Sequence, residues 1–164
     1  MTTNWVVKAI IVLILFKPTT SWANDIYINQ SGDNIDMTIV QDGENNVISS
    51  VAGNTRKAPI SGNNTNTTFT QTGDNNDIGV YMSAGNGQQT VTQTGNTNYA
   101  TSDCHGNNCS TTITQNGNNN SANLEFGNGG DYDQTGTITQ DGNYNAAGIE
   151  ANGDDNTFVV DQDG

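Results

Sequence analysis

Apolar residues are sparse in this chain, and many of them recur at a fixed place beside a Gln-x-Gly triplet. One apolar residue stands two positions before each glutamine. The glutamines are Gln41, Gln71, Gln93, Gln115, Gln140 and Gln162, and the apolar residues are Ile39, Phe69, Val91, Ile113, Ile138 and Val160. Successive glutamines are 30, 22, 22, 25 and 22 residues apart. A repeat of this length predicts a solenoid.

The second half of each unit has its own marks, which we number from the glutamine as position 0. Position 5 is asparagine in every full unit, namely Asn46, Asn76, Asn98, Asn120 and Asn145. Position 7 is small or apolar, and position 9 is Ser50, Val80, Ser102, Leu124 or Ile149. Strand side chains alternate between faces, so the change of parity between positions 0 and 5 requires a chain reversal. We assign the backbone angles of this arc to the glycines at position 2, which are Gly43, Gly73, Gly95, Gly117 and Gly142.

These marks predict an all-β protein, a β-solenoid of about five strand-arc-strand-arc rungs. Each strand would pair in parallel with its equivalent in the next unit, about 4.8 Å away. Glutamine would then stack on glutamine and asparagine on asparagine, as amide ladders that satisfy their own donors and acceptors. A hydrogen bond contributes roughly 0.5–1.5 kcal/mol net, but a buried amide left unpaired costs about 1–3 kcal/mol. The ladders are therefore expected to fix the register more strongly than they add stability.

The sequence divides into three parts. Residues 1–23 are predicted to be a secretory signal peptide, because Lys8 precedes a short apolar run and Ser21-Trp22-Ala23 fits a cleavage site. The alternative, a membrane anchor, is disfavoured because the run is shorter than the roughly 20 residues needed to span a bilayer. Residues 24–40 form an incomplete leading repeat, in which Gln30 lies half a period before Gln41. Residues 41–164 hold the repeats, with units starting near 41, 71, 93, 115 and 140.

Two units are longer than the others. The first has eight extra residues, which we place near 53–64 together with Arg56 and Lys57. A solvated loop is the expected form, since loops tolerate insertions, and a docking or anti-aggregation loop is the alternative. The unit from Gln115 gains three residues near 127–130. The last marker, at Gln162, is expected to present a final strand without its return arc.

Charge narrows the choice of partners. Removal of the signal peptide takes Lys8 and Lys17, which leaves two basic residues against 17 acidic ones and a formal charge of −15. Such a surface argues against nucleic-acid binding, which needs a basic face. Low hydrophobicity with high net charge is also typical of disorder, but the repeat outweighs that prior.

Cys104 and Cys109 are at positions 11 and 16 of one unit, so both are expected to point inward across an arc. In an exported protein a disulfide is the simplest interpretation. Free thiols, or a metal site with His105, are the alternatives. Three ligands on one turn without a second cluster are a weak metal signal.

No catalytic constellation or cofactor motif stands out, and we predict that the protein is not an enzyme. His105 has no triad partners. Asp42, Asp74, Asp141 and Asp163 adjoin the arc glycines, where aspartate is a common turn former. Calcium binding of the nonapeptide-solenoid kind is disfavoured by the period of 22, and we expect no metal.

The combined pattern resembles the curlin repeat, which reads apolar-x-Gln-x-Gly-x-x-Asn-x-Ala. Residues 113–122 and 138–147 match it, and residues 39–48 match it with Ile48 in place of alanine. The resemblance covers nearly all of the chain after residue 23. It implies a β-solenoid subunit whose open ends template further copies into curli, the extracellular amyloid fibres of Gram-negative biofilms. It also implies the partners of such a subunit, an outer-membrane secretion pore and a separate surface nucleator, and a role in biofilm matrix and adhesion.

The sequence departs from the curlin pattern in two respects. Curlin repeats carry a second glutamine at position 11, which survives here only as Gln30. The equivalents elsewhere are Ala52, Met82, Cys104, Phe126 and Ala151. Major curlin subunits also carry a Gly-rich segment before the first repeat, whereas here repeat-like sequence follows the predicted cleavage site closely. A minor or nucleator subunit is therefore an alternative to a major one.

Two further functions fit a solenoid. Outward threonines flank the apolar position at Thr68 and Thr70, and again at Thr90 and Thr92, as in ice-binding β-solenoids. Threonine is also simply suited to exposed strands. A monomeric surface adhesin is the weaker alternative, since nothing in the sequence resembles a capping segment.

Overall fold

The computed structural model describes residues 25–49, 58–127 and 133–164, and the secondary structure of these residues consists of short β-strands. The strands are β1 Gln30–Ser31, β2 Asp36–Thr38, β3 Ala58–Ser61, β4 Asn66–Thr68, β5 Val80–Ser83, β6 Gln88–Thr90, β7 Gln93–Thr94, β8 Ser102–Cys104, β9 Ser110–Thr112, β10 Gln115–Asn116, β11 Leu124–Phe126, β12 Thr135–Thr137, β13 Gln140–Asp141, β14 Ile149–Ala151 and β15 Thr157–Val159. In the described ranges, no helix is long and apolar enough to cross a membrane.

Three parallel sheets run along the molecule. One has six strands in the order β1-β3-β5-β8-β11-β14, and a second has six in the order β2-β4-β6-β9-β12-β15. A third sheet, of β7, β10 and β13, begins at the repeated glutamines. Consecutive strands of one sheet are about one repeat apart in sequence. The chain therefore winds as a β-solenoid, as the sequence predicted.

The register places equivalent residues opposite one another. Gln115 pairs with Gln93 on one side and with Gln140 on the other. In the first sheet Ser102 of β8 lies between Val80 and Leu124, so three successive units meet at position 9. The longer spacing to Gln140 leaves this register intact because the extra residues lie between Phe126 of β11 and Thr135 of β12.

The insertion of the first unit lies earlier than the sequence predicted. Ala58 pairs with Val80, which is at position 9, and Ile60 pairs with Met82, which is at position 11. These are the positions we expected for Ser50 and Ala52, which lie outside the described residues, and that prediction is wrong. The extra residues fall between Ser49 and Ala58, where the first arc has been completed but β3 has not begun.

The leading segment forms half a rung. The backbone nitrogen of Ile28 donates to the Ser49 oxygen at 3.0 Å, and that of Ser49 donates to the Ile26 oxygen at 2.9 Å. Gln30 of β1 then pairs with Ile60 of β3. Gln30 is therefore at position 11, half a period ahead of Gln41.

The interior is a narrow column that mixes apolar and polar side chains. Ile48, Ile78, Val91, Ile113 and Leu124 are among the fully buried apolar residues. Besides the positions expected from the sequence, position 18 also points inward, and it holds Met37, Thr67, Gln89, Thr111, Gly136 and Phe158 in successive units. The core thus varies from rung to rung, while the backbone register stays constant.

The first arc bends at a different residue from the one we expected. Left-handed φ values occur at position 3, in Glu44, Asp74, Asn96, Asn118 and Asn143, with φ between 81° and 96°. None of the predicted arc glycines, Gly43, Gly73, Gly95, Gly117 and Gly142, has a positive φ. Their backbone nitrogens instead donate along the stack, as that of Gly95 does to the Thr72 oxygen at 2.7 Å. The assignment of the bend to these glycines is therefore wrong.

Glycine is needed in the second arc because backbones approach closely there. A Cβ atom on Gly62 would lie 1.6 Å from the Gly32 oxygen, and one on Gly106 would lie 1.8 Å from the Ala84 oxygen. Position 15 of the same arc takes a left-handed conformation in Asn34, Asn64, Asn86 and Asn108, with φ between 51° and 56°. Asparagine is one of the few residues other than glycine that adopts this conformation readily.

Candidate functional site: the stacked amide ladders

Six glutamine side chains form one continuous hydrogen-bonded column. Each Nε2 atom donates to the Oε1 atom of the glutamine in the next unit, over five steps. The distances are 2.5 Å from Gln41 to Gln71, 2.8 Å from Gln71 to Gln93, 2.7 Å from Gln93 to Gln115, 2.7 Å from Gln115 to Gln140 and 2.5 Å from Gln140 to Gln162. Five of the six are buried, and Gln162 at the end of the column is exposed. A buried carboxamide is tolerated here because its neighbours supply its partners.

The glutamines also close the first arc. The Gln140 Nε2 atom donates to the Ala146 oxygen at 2.8 Å, and the Ala146 nitrogen donates to the Gln162 Oε1 atom at 3.1 Å. The nitrogens of Asp77 and Ser121, also at position 6, donate to Gln93 and Gln140 at 3.3 and 3.2 Å. The glutamine thus binds the far side of its own arc and the neighbouring rung together.

The asparagines at position 5 form a second column that runs in the opposite direction. The Nδ2 atom of Asn76 donates to Asn46 at 2.7 Å, that of Asn98 to Asn76 at 2.7 Å, and that of Asn120 to Asn98 at 2.8 Å. Asn145 does not continue this column. It is partly exposed in the last full rung, and its Nδ2 atom contacts the Asp141 oxygen at 3.4 Å. The prediction for Asn145 is therefore wrong.

A third ladder, which we did not predict from the sequence, runs through position 3 of the first arc. The backbone nitrogen of Glu44 donates to the Asp74 Oδ1 atom at 2.5 Å, and the nitrogens of Asn96 and Asn118 donate to the Oδ1 atoms of Asn118 and Asn143 at 2.5 Å. The Asp74 nitrogen makes the same bond to Asn96. The sequence did contain a signal for this ladder, because position 3 carries a residue with a side-chain oxygen in every full unit.

A fourth ladder lies on the surface of the second arc. Asn64 donates to Asn34 at 3.3 Å, Asn86 to Asn64 at 3.2 Å, and Asn108 to Asn86 at 3.0 Å. All four residues are exposed. Because exposed amides can also bond to water, this ladder sets the register of the arc but adds little stability.

Comparison with known proteins supports the repeat that these ladders define. Residues 133–164 match the family model of the curlin associated repeat. This segment of the chain is a curlin associated repeat. Comparisons with curated proteins and with solved structures found no match. The matched residues contain Gln140 and Gln162, and the register relates them to the units before them.

The second glutamine of the curlin pattern is replaced by a mixed inward column at position 11. Ile60, Met82, Cys104 and Phe126 are buried there, and Ala151 is partly buried. Gln30 occupies the same position in the leading half-rung. Position 11 therefore packs through apolar contact in the full rungs.

Cys104 and Cys109 form a disulfide, with their Cα atoms 6.2 Å apart. Both are buried, and they join the end of β8 to the start of β9 across the second arc. The His105 ring packs on Tyr81 with centroids 5.0 Å apart, and its Nε2 atom lies 3.8 Å from Glu125. The side chains that a metal site would have needed are thus arranged as a covalent bond and a surface aromatic pair.

The arc aspartates differ in their surroundings. Asp74 belongs to the position 3 ladder, and Asp141 accepts a hydrogen bond from the Asn116 amide. Asp42 and Asp163 are exposed. Within the described ranges, no group of three or more His, Cys, Asp or Glu residues could hold a metal ion. Burial raises the pKa of Asp77 above its usual value of 3.8.

One face of the stack carries three acids in successive strands. Asp103, Glu125 and Glu150 pair in register in three successive strands. Asp103 is buried, Glu150 is exposed, and Glu125 lies 3.8 Å from the His105 Nε2 atom. Like charges one strand spacing apart repel.

The opposite face carries a column of threonines. Thr38, Thr68, Thr90, Thr112 and Thr137 pair in succession at position 19 of five units. Their hydroxyl-bearing side chains point outward while the residues on either side of them point to the core.

The two ends of the stack expose different groups. At one end, the Gln41 Oε1 and Asn46 Nδ2 atoms are buried and have no hydrogen-bond partner among the described residues. At the other end, Val159 and Val160 are 54% and 47% exposed, and Ile149 and Phe158 are only partly buried. The strands at both ends, β1 and β2 at one and β14 and β15 at the other, pair on one side only within the described part of the chain.

Proposed function

We propose that this curlin-repeat protein is the structural subunit of an extracellular, curli-like amyloid fibre. In this proposal copies stack end to end, and each new copy pairs its terminal strands with those already in place. The observation that supports it is the pair of open ends, where two parallel sheets and the glutamine column stop with unused edges. Exposed strand edges recruit further strands, and stacked amide ladders are a stabilising feature of cross-β assemblies.

The location and partners follow from the same proposal. The sequence of residues 1–23 directs the chain to the periplasm, and cleavage after Ala23 removes it. The subunit then leaves a Gram-negative cell through an outer-membrane pore and is seeded by a surface nucleator. The disulfide between Cys104 and Cys109 suits such an oxidising route. In the fibre the protein serves the biofilm matrix, adhesion and surface attachment, and it catalyses no reaction.

The direct test is assembly of the purified chain that begins at Asn24. Thioflavin-T fluorescence should rise after a lag, and fibre diffraction should give the 4.7–4.8 Å reflection of stacked strands. A chain that stays monomeric and never seeds its own deposition would contradict the proposal.

Substitutions in the ladders test the proposed assembly more specifically, and a matched control variant is available. The double variant Gln115→Ala and Asn120→Ala removes one buried amide from each inner column. It should slow fibre growth far more than the double variant Asn107→Ala and Asn119→Ala, which changes two exposed arc residues. Equal growth rates for both variants would argue against the ladders as the basis of assembly.

The threonine column supports a second candidate, ice binding. Five threonines in register on one face give a regular array of hydroxyl and methyl groups with the strand spacing. Thermal hysteresis of the monomer would support this function. A monomer without hysteresis that converts to fibres would support the fibre subunit instead.

A further inference from the structure

The rung at each end of the described structure is only partly filled by described residues. The two ends fill opposite halves of a rung. Gln162, at position 0, begins a rung in which the described residues reach position 2 at Gly164. In the leading rung the described residues begin at Asp25, position 6, and run on through Gln30 at position 11. The described residues of these two half-rungs occupy no position in common.

We propose that copies join head to tail in a single register, in which Gln162 of one copy lies directly beneath Gln41 of the next. The two half-rungs then lie side by side in one rung that both copies build. This inference rests on the proposed function and specifies its joint. It requires that the first 23 residues have been removed, as that proposal states.

The direction of the glutamine column fits this joint. Within the chain each Nε2 atom donates toward the next unit, so the Gln162 side chain would donate onward in the same sense. Its acceptor would be the Gln41 Oε1 atom, which is buried and has no partner among the described residues. A head-to-head joint would instead place two donor ends, or two acceptor ends, of the glutamine column against each other.

The apolar columns also continue across the joint. In this register Phe158 lies beneath Met37 and Val160 beneath Ile39, and Ile149 lies beneath Ile28 of the next copy. Each contact joins a partly buried or exposed apolar residue to an apolar column. A slip by one unit would place Phe158 beneath Thr67, a polar residue, and would leave the leading half-rung without a place.

The outer arc agrees with the same register. Asn34 and Asp155 occupy position 15 at the two ends, with φ values of 56° and 57°. Donation in this ladder runs from each asparagine to the residue in the preceding unit. Asp155 can only accept when it is ionised, so it suits the place beneath the Asn34 amide of the next copy.

Cysteine cross-linking of assembled fibres tests the register. Val159→Cys and Thr38→Cys are made in separate preparations, mixed and assembled, and then treated with a short thiol-specific cross-linker. The described residues contain no free cysteine, so the disulfide between Cys104 and Cys109 does not compete. The proposed register places positions 159 and 38 on adjacent strands, so heterodimer should form wherever a Thr38→Cys copy follows a Val159→Cys copy, which in an equal mixture is up to about half of the fibre protein.

Two control preparations test the alternative joints, a slip of one unit and a head-to-head contact. Val159→Cys mixed with Thr68→Cys reports a slip of one unit, and Val159→Cys alone reports a head-to-head joint. Either pair cross-linking as well as the first would overturn the register while leaving the fibre in place. A second pair on the other sheet, Glu150→Cys with Asn29→Cys, should also give heterodimer. This pair tests the same register if the first pair impairs folding. Absence of fibres from the unaltered chain would overturn the proposed function and the joint with it.

Discussion

The Nε2 atom of Gln93 lies 2.7 Å from the Oε1 atom of Gln115, although 22 residues separate them in sequence. Both side chains are completely buried. Neither could be buried at low cost in a single unit, because a carboxamide without partners loses its hydrogen bonds to water. The bond therefore makes each rung depend on the next one, which is the physical basis of the repeat.

Removing one glutamine from the middle of the column should destabilise the fold strongly. Gln115→Ala leaves the Gln93 donor without a partner and removes one of the two hydrogen bonds that the Gln140 oxygen accepts. At about 1–3 kcal/mol for each buried group, the free energy of unfolding should fall by about 2 kcal/mol or more. Urea denaturation of the monomer measures this change. Asn86→Gly, in the exposed arc ladder, is the control, because glycine keeps the left-handed backbone, and it should cost much less. Similar losses for both variants would contradict the account.

Gly136 should not accept a side chain. It lies in β12 at an inward position, and a Cβ atom there would come within 2.9 Å of Phe158 and 3.0 Å of Leu124 and Phe126. Phe126 and Phe158 stack with centroids 5.4 Å apart and fill the space that the glycine leaves. Gly136→Val should therefore lower stability by about 1–3 kcal/mol through overpacking.

The compensating change at Phe158 tests the cause of that effect. Gly136→Val combined with Phe158→Ala should recover part of the loss, because the smaller residue makes room for valine. Thermal unfolding of the two single variants and the double variant gives the coupling between the sites. Strict additivity would contradict the steric explanation.

Asp77 should make the stability of the protein depend on pH in the acidic range. Burial raises the pKa of its carboxyl above 3.8, so the folded state holds its proton more tightly than the unfolded state does. Stability therefore falls as pH rises from 3.8 through the folded-state pKa, and the cost persists at neutral pH. Asp77→Asn should be more stable than the natural chain at pH 7, and this advantage should shrink below pH 4. Chemical denaturation of both chains from pH 3 to 7 measures it, and a constant difference would refute the assignment.

The disulfide should stabilise the monomer without being essential to the solenoid. Cys104 and Cys109 are only five residues apart, so the bond closes a short loop, worth about 2 kcal/mol in the chain-entropy model. Cys104→Ser with Cys109→Ser should lower the unfolding midpoint, while circular dichroism still shows β structure. Loss of all β structure would mean that the bond, rather than the ladders, holds the stack together.

Much of the architecture could be predicted from spacing alone. The interval between Gln93 and Gln115, together with the parity change before Asn98, was enough to predict parallel rungs with an inward amide column. The position of the first insertion could not be predicted, because Ser50 and Ala58 are both small and both fit position 9. Only the pairing of Ala58 with Val80 decides between them.

The arcs were less predictable because sequence offers two candidates for the bend. Glycine is the usual residue for a left-handed backbone, so Gly95 was the natural choice over Asn96. The structure gives that conformation to Asn96, whose side-chain oxygen accepts the nitrogen of Asp74 in the preceding unit. The polar ladder along the arc outweighs the intrinsic preference, and such a contact between units is visible only once the stack is formed.

Asn145 differs for a reason that a repeat pattern does not contain. Its sequence position matches those of Asn98 and Asn120, but its rung is the last full one and is partly exposed. There the side chain contacts its own arc instead of the preceding rung. A pattern describes the interior of a stack better than its ends.

Solid-state NMR of fibres labelled at glutamine side chains tests the central claim, that equivalent residues of successive units lie directly above one another. The carboxamide carbons of Gln93 and Gln115 should be about one strand spacing apart, near 4.8 Å. Strong magnetisation transfer between these two assigned carbons is the result that we predict. A separation of two or more strand spacings between them would contradict the account.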